Sequence, residues 1–233
     1  MNVAFIGLGR MGLAMASRIA VEFDLVVFNR TLGRGAELVQ SGVRIAASVA
    51  GACEGRDVVI TMMADDAALA QVALAPAGIR DSMKPGAIHL AMGTHGVSAM
   101  QELAAAHRDR EQAMVAAPVL GRPDVAAAGQ LGIVAGGPPD AVRRCEPLFA
   151  LMGSRTFHAG PEPASASAVK LANNFVLGCA IEAMSEAFSL VGKYDVPARL
   201  FYDVMVDGLF SAPAYRVYGD IMAEEKYDHA GFT

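Results

Sequence analysis

Short apolar runs alternate with helical repeats through the first two thirds of the chain. Residues 3–6 form a continuous apolar run, which predicts a strand buried on both faces. Apolar residues then recur at three- and four-residue spacing as far as Ile19, which predicts a helix. Further strands are predicted at 25–28, 57–61, 87–91, 113–117 and 131–135, and further helices at 65–74, 97–107 and 139–152. Strands and helices that alternate at this spacing predict a doubly wound, mostly parallel sheet with right-handed crossovers.

The pattern changes near Pro163, after which strand signals stop. Residues 164–191 have a long helical pattern, a second helix is predicted to begin at Pro197, and residues 211–225 suggest a third. We therefore predict an α/β domain at residues 1–162 and an all-α domain at residues 163–233. In open α/β sheets, ligands bind outside the carboxyl ends of the strands, so the candidate site residues are those that directly follow a strand.

Composition narrows the class of protein. The chain has 233 residues, of which 54% are hydrophobic and 18% charged, and this excludes intrinsic disorder. The net charge is −5 without a basic cluster, so no nucleic acid is expected as a partner. No apolar stretch reaches the ~20 uncharged residues of a membrane span. The separated cysteines fit a reducing cytosol, so a cytoplasmic protein is predicted. They are Cys53, Cys145 and Cys179.

The apolar N-terminus is not predicted to be a signal peptide, because no basic residue precedes its apolar run and Arg10 interrupts it. Between the first strand and helix lies a G-x-G-x-x-G motif. It consists of Gly7, Leu8, Gly9, Arg10, Met11 and Gly12. Gly7 permits the tight turn, Gly9 lets a pyrophosphate approach the backbone, and Gly12 lets the helix pack closely on the sheet. A chance turn is the alternative, but the strand–turn–helix context favours a Rossmann dinucleotide site.

The second strand ends in Asn29-Arg30-Thr31, where NAD sites usually carry Asp or Glu for the ribose 2′-hydroxyl. A carboxylate would repel a 2′-phosphate, whereas a guanidinium binds it bidentately. Arg34 is a second nearby cation. We therefore expect NADP in preference to NAD, with NAD left open. The alternative is that Arg30 is a solvated loop charge.

Other candidate residues follow strands or lie on the long helix. Those after strands are Met62, Met63, Thr94, Leu120, Gly121 and Arg122, and each is also consistent with an ordinary loop. Lys170 and Asn174 are four residues apart and project from one helical face. A desolvated lysine can exchange protons near neutral pH, but a surface lysine with a buried stem is the alternative.

The histidines and acidic residues give little sign of further chemistry. No histidine pair has metal-ligand spacing, so no metal site is expected. His95 is interpreted as a polar loop residue that could line the cleft. Asp65 and Asp66 are interpreted as a helix N-terminus that complements the helix dipole.

Taken together, these motifs resemble those of the β-hydroxyacid dehydrogenase family. The shared segments, in order along nearly the whole chain, are residues 7–12, 15–16, 29–31, 93–94, 117–121, 129–131, 136–137 and 170–174. The resemblance implies a Rossmann domain, a helical domain and a homo-oligomer. It also implies reversible hydride transfer between a nicotinamide and a small hydroxy acid or aldehyde.

The same resemblance implies roles for particular residues. Lys170 would be the general acid/base, and Asn174 would hold the substrate and orient the lysine. Thr94 would contact the cofactor, and the loop Leu120-Gly121-Arg122 would hold the carboxylate end of the substrate. The segment 29–31 looks more like the NADPH-using glyoxylate and semialdehyde reductases than the NAD-using members.

The chain departs from the family pattern in three ways. Leu120 stands where the family usually has Ser, which removes a hydroxyl donor, and Arg122 stands where it usually has Gly. Arg122 either binds a carboxylate or points to solvent. The chain stops at Thr233, whereas family members continue into further helices, so it looks truncated. Two alternatives stay open: a dinucleotide-binding module without turnover and an imine reductase-like enzyme, although Lys170 favours carbonyl chemistry.

Overall fold

The computed structural model describes residues 1–31 and 33–227, so His229 and the terminal Gly231-Phe232-Thr233 lie outside the described residues. The chain divides into two compact units, Met1–Leu171 and Ala172–Thr233. The strands are β1 Asn2–Ile6, β2 Asp24–Phe28, β3 Arg44–Ile45, β4 Val58–Thr61, β5 Ile88–Ala91, β6 Ala113–Ala116, β7 Val119–Leu120, β8 Leu131–Gly136 and β9 Gly153–Gly160. The helices of the first unit are α1 Arg10–Ile19, α2 Ala36–Val39, α3 Val49–Cys53, α4 Asp66–Leu74, α5 Ile79–Ser82, α6 Val97–Arg108, α7 Pro123–Ala127 and α8 Pro139–Met152.

The sheet of the first unit has the strand order β3-β2-β1-β4-β5-β6-β8-β7, and β9 pairs with β8. Strands β1 to β6 pair in parallel. The alternation predicted each of them except the two-residue strand β3. Strand β8, by contrast, runs antiparallel to β6 and β7. The predicted fold class, a Rossmann-type doubly wound and mostly parallel sheet followed by helices, is confirmed.

Helices cover both faces of this sheet, because successive side chains of a buried strand point to opposite faces. In β1, Val3 and Phe5 pack in one core cluster with residues of α1 and α8. Ala4 and Ile6 pack in the other cluster with residues of α3, α4, α5 and α6. The continuous apolar run of β1 thus reflects burial on both sides.

Helix α9 spans Pro163–Gly192, and the division between the two units falls within it. The second unit also contains α10 Ala198–Asp207 and α11 Pro213–Ala223. Pro197 is the N-cap of α10, and Pro213 lies in the first turn of α11, where a missing N–H costs little. A small core forms around Met184, Tyr202, Met205 and Val206.

Within the described residues, one helix is long and apolar enough to cross a membrane by length and composition alone. It is α9, which has 30 residues and contains an 18-residue window with a mean hydropathy of 1.5. The helix also carries charged residues, namely Lys170, Glu182 and Glu186.

A chain of buried polar side chains links β4, β5 and α6 in the first unit. Because the Gln112 amide nitrogen donates to two backbone carbonyls, its Oε1 accepts from His107 Nδ1 at 2.7 Å. His107 Nε2 then accepts from His89 Nδ1 at 2.8 Å, and His89 Nε2 accepts from the Thr61 hydroxyl at 3.0 Å. These partners assign both histidines as neutral, each with its proton on Nδ1.

We expect this series of hydrogen-bonded side chains to make the folded protein less stable in acid. Burial lowers the pKa of His89 well below 6.5 and also lowers the pKa of His107. Their contribution to stability is present above pH 6.5, the ordinary histidine pKa, and is lost as the pH falls below it, where the unfolded chain binds protons first. The free energy of unfolding from urea titrations should therefore drop by up to ~1.4 kcal/mol per pH unit for each histidine.

Two variants test whether the buried histidines cause this acid dependence of the unfolding free energy. His107→Gln should reduce the slope of the unfolding free energy against pH. His158→Gln, which changes an exposed histidine on β9, should leave that slope unchanged. A wild-type unfolding free energy that is constant between pH 7 and 5 would contradict neutral, paired histidines.

Candidate functional site

The glycine turn, residues 7–12, connects β1 to α1 and needs glycine at two positions for steric reasons. Gly7 has a φ of +100°, and a Cβ there would come within 2.5 Å of the Met62 carbonyl oxygen. A Cβ at Gly12 would overlap the carbonyl oxygen of Gly7. A Cβ at Gly9 would meet no other described atom within 4 Å. The backbone at Gly9 therefore faces open space that a ligand can enter.

The N-terminus of α1 fits an anion. Gly9 is its N-cap, no side chain in the described part of the chain caps it, and its first turn carries no acidic residue. The free N–H groups and the positive end of the helix dipole favour a phosphate group at this point. Leu8 is buried, Met11 is half-buried and Arg10 is exposed, so Leu8 contributes its backbone to the turn and its side chain to the core.

The segment after β2 is tied to the glycine turn. The Leu8 N–H donates to Asn29 Oδ1 at 2.8 Å, and Asn29 Nδ2 donates to the Thr31 carbonyl oxygen at 3.0 Å. This arrangement places Arg30 beside the turn with its side chain exposed. None of the ion pairs in the described ranges includes Arg30 or Arg34. Asn29 thus has a structural role, and both guanidinium groups are available to a ligand.

Met62, Met63 and Thr94 lie at the same edge of the sheet as the glycine turn. They follow β4 and β5, which pair in parallel with each other, and β4 also pairs in parallel with β1. Met62 and Met63 are half-buried beside Gly7, and Thr94 is exposed. The fold therefore brings together the cofactor residues predicted on four different loops.

His95 lies in a loop, as predicted, but it is buried, with 3% of its surface exposed. Its Nδ1 lies 3.0 Å from Asp66 Oδ1. Asp65 is the N-cap of α4 and accepts from the Ala68 N–H at 2.7 Å, in agreement with a helix start at this pair of aspartates. The pairing of Asp66 with His95 joins the first turn of α4 to the loop after β5, across 29 residues of the chain, and no sequence pattern indicated it.

Leu120, predicted to lie in a loop, is the last residue of the short strand β7, and Gly121 and Arg122 follow that strand. Leu120 is half-buried and packs against Gly132 of β8. Gly121 has a φ of +146°, a conformation that favours glycine. Arg122 is the N-cap of α7, and its Nε lies 3.8 Å from Asp124 Oδ1 with both side chains exposed. The Arg122 guanidinium is therefore accessible and only loosely paired.

Lys170 and Asn174 lie on α9, on either side of the division between the two units. Lys170 is half-buried in the first unit, and burial lowers the pKa of its ammonium group from the ordinary 10.5. No ion pair within residues 1–31 and 33–227 includes Lys170. A lysine whose charge is desolvated and uncompensated is a candidate proton donor. The described residues also contain no cluster of His, Cys, Asp and Glu side chains that could hold a metal ion.

Comparisons with known proteins identify the family. Residues 2–160 match the NAD binding domain of 6-phosphogluconate dehydrogenase. The uncharacterized oxidoreductase YfjR of Bacillus subtilis is 38% identical over 100% of this chain and 81% of its own length. An NAD-dependent L-serine dehydrogenase of Pseudomonas aeruginosa is 34% identical over 88% of this chain and 68% of its own length. A solved 3-hydroxyisobutyrate dehydrogenase (ygbJ) of Salmonella typhimurium has a TM-score of 0.86 and 25% identity, over 97% of this chain and 80% of its own.

The chain belongs to the β-hydroxyacid dehydrogenase family. The family that the sequence motifs resembled is thus confirmed. The chain is an NAD(P)-dependent oxidoreductase that acts on CH–OH or carbonyl groups. The glycine turn and the open space at Gly9 fit the dinucleotide that this family uses.

Proposed function

We propose that this β-hydroxyacid dehydrogenase uses NADP and transfers a hydride between the nicotinamide and a small β-hydroxy acid or semialdehyde. The observation that carries the proposal is the half-buried Lys170, whose pKa is lowered by desolvation. A bound nicotinamide supplies or accepts the hydride, and the protein has to supply a proton and the geometry. In reduction, Lys170 Nζ donates a proton to the carbonyl oxygen, and in oxidation the neutral amine takes it back.

The remaining residues of the site bind and orient the cofactor and the substrate. The N–H groups of the glycine turn hold the pyrophosphate, while Met62, Met63 and Thr94 line the nicotinamide half of the cofactor. The exposed Arg122 guanidinium binds the carboxylate of the substrate in place of the hydroxyl that Leu120 lacks. Asn174, one helical turn after Lys170, holds the substrate. We also retain residues 1–162 and 163–233 as the functional domains.

Oxidation of NADPH in the presence of semialdehydes, glyoxylate and cyclic imines tests this proposal. We expect turnover with at least one carbonyl compound of the panel. Turnover with imines alone would favour the imine reductase-like alternative. Binding of NADPH without turnover of any compound would favour a dinucleotide-binding module and would contradict the proposed activity.

We further propose that the protein is a cytoplasmic homo-oligomer. Large apolar side chains are exposed along α9 and in the second unit, and Phe175, Val176 and Leu209 are 72%, 67% and 93% exposed. Exposed apolar side chains in such number mark an association surface. A second copy of the chain is the proposed partner, because most soluble oligomers are homo-oligomers.

Sedimentation velocity without detergent should therefore detect a dimer or larger species. Phe175→Glu should shift the protein toward monomer, because a charge would be buried in the interface. Val21→Glu is the matched control, since Val21 is 75% exposed on the first unit. A wild-type monomer that partitions into phosphatidylcholine vesicles would contradict the proposal and would indicate that α9 contacts a membrane.

A further inference from the structure

The Asp66–His95 pair joins the N-terminus of α4, which follows β4, to the loop that follows β5. Asp66 accepts from His95 Nδ1 at 3.0 Å, and its two oxygens also accept from the Gly96 N–H at 3.1 and 3.2 Å. The His95 side chain is only 1% exposed, whereas that of Asp66 is 50% exposed. Because Asp65 already caps α4, the Asp66 carboxylate is not needed for that purpose. Its contacts all go to the loop after β5.

The side of the His95 ring that carries Nε2 packs against the backbone at the carboxyl ends of the strands. His95 Nε2 is buried and has no hydrogen-bond partner among the described residues. A Cβ at Gly93 would collide with this Nε2 atom and would lie 2.7 Å from the Met63 carbonyl oxygen. The His95 ring therefore packs directly against Gly93, on the side of Gly93 that also faces the Met63 carbonyl oxygen.

The protonation state of the pair follows from its contacts. Because Asp66 is an acceptor, His95 donates through Nδ1, and its neutral form leaves Nε2 without a proton. Burial lowers the pKa of His95, and this effect outweighs the opposing effects of Asp66 and Asp65. Leaving one polar atom of a buried ring unpaired is costly.

The location of the pair determines what it positions. The segment after β2 corresponds to the adenosine ribose, and the glycine turn after β1 corresponds to the pyrophosphate. The sheet order β2-β1-β4-β5 then leaves the nicotinamide half over the ends of β4 and β5. Gly93, which contacts His95, and Met63, whose carbonyl oxygen also lies close to Gly93, are at these two ends.

We propose that His95, held by Asp66, is a positioning residue that fixes the residue 92–96 loop and the Met63 backbone against the nicotinamide half of the cofactor. This inference rests on the proposed function, because it requires a dinucleotide at the carboxyl edge of the sheet. The pair acts through the loop and does not itself exchange a proton with the substrate.

Equilibrium binding of two ligands tests the proposal. NADPH has both an adenosine half and a nicotinamide half, whereas 2′,5′-ADP represents only the adenosine half. His95→Phe keeps a ring of similar size but loses the hydrogen bond to Asp66, and it should weaken NADPH binding about tenfold. Binding of 2′,5′-ADP should not change. His95→Asn, which retains a donor near the Nδ1 position, should restore NADPH binding to within about threefold of wild type.

The controls separate positioning from general destabilisation. Asp66→Ala should reproduce the effect of His95→Phe. Asp65→Ala, which removes the cap of α4 without touching the loop, should leave the ratio of NADPH to 2′,5′-ADP affinity at its wild-type value. An unchanged ratio in His95→Phe, or equal weakening of both ligands, would overturn the inference. Failure of the wild-type protein to bind NADPH more tightly than 2′,5′-ADP would instead overturn the proposed function.

Discussion

Replacement of Lys170 by alanine should lower kcat/KM for carbonyl reduction by ~10²–10⁴-fold, the range typical of a lost general acid. The side chain is half-buried, and burial lowers the pKa of its ammonium group toward the range in which it can exchange a proton. Steady-state NADPH oxidation measures the loss. Affinity for NADPH should stay within about threefold of wild type, because the proposed role of Lys170 concerns the proton and not cofactor binding.

The pH dependence of the reaction gives a second test of the same lysine. Reduction requires the protonated ammonium, so its rate should be constant at low pH and fall as the pH rises through the lowered pKa of Lys170. Oxidation requires the neutral amine and should show the opposite dependence. Lys170→Arg keeps the positive charge but cannot release a proton at accessible pH, so it should be nearly as inactive as the alanine variant.

Lys193→Ala is the matched control, because Lys193 is an exposed lysine just beyond the end of α9. It should retain wild-type kcat/KM and the wild-type pH profile. A Lys170→Ala enzyme with activity within about threefold of wild type would contradict the proposed proton transfer. An active Lys170→Arg enzyme beside an inactive alanine variant would show that charge alone is needed.

The alternation of apolar runs and helical repeats was sufficient to predict the parallel strands β1 to β6 apart from β3, because strands such as β1 and β4 are buried on both faces. Strand β3 was missed because it has only two residues, and both are exposed. The same reasoning missed β9, which pairs with β8 through residues 153–160. Most side chains of β9 are exposed, so the strand has neither a continuous apolar run nor a regular alternation. The short strand β7 was missed because Val119 and Leu120 are too few to form a pattern.

The glycine turn was predictable because its chemistry is local: Gly7 and Gly12 are required by contacts close to the turn, and Gly9 faces open space. The Asp66–His95 pair and the His89–His107 pair were not, since their partners are 29 and 18 residues apart and are brought together only by the sheet. His89 lies within an apolar strand, and a polar residue at a doubly buried position was the one available signal. A single sequence does not identify the partner of such a residue.

Arg30→Ala should reduce the preference for NADPH over NADH by ~10–100-fold, mainly through weaker NADPH binding. Arg30 is exposed beside the glycine turn, where the hydrogen bonds of Asn29 fix the local backbone. A guanidinium at this position pairs with the 2′-phosphate, which NADH lacks, so NADH affinity should change little. Fluorescence titrations with both reduced cofactors measure the two dissociation constants.

Arg108→Ala is the control for this substitution, because Arg108 is an exposed cation at the C-terminal end of α6. Since α6 begins after the carboxyl end of β5, its other end lies at the opposite edge of the sheet and should not affect either cofactor. Arg30→Lys should retain part of the preference, because an ammonium provides the charge without the bidentate geometry. Equal affinity of the wild-type enzyme for NADPH and NADH would contradict the assignment of NADP. It would leave this enzyme closer in cofactor use to its NAD-dependent relative.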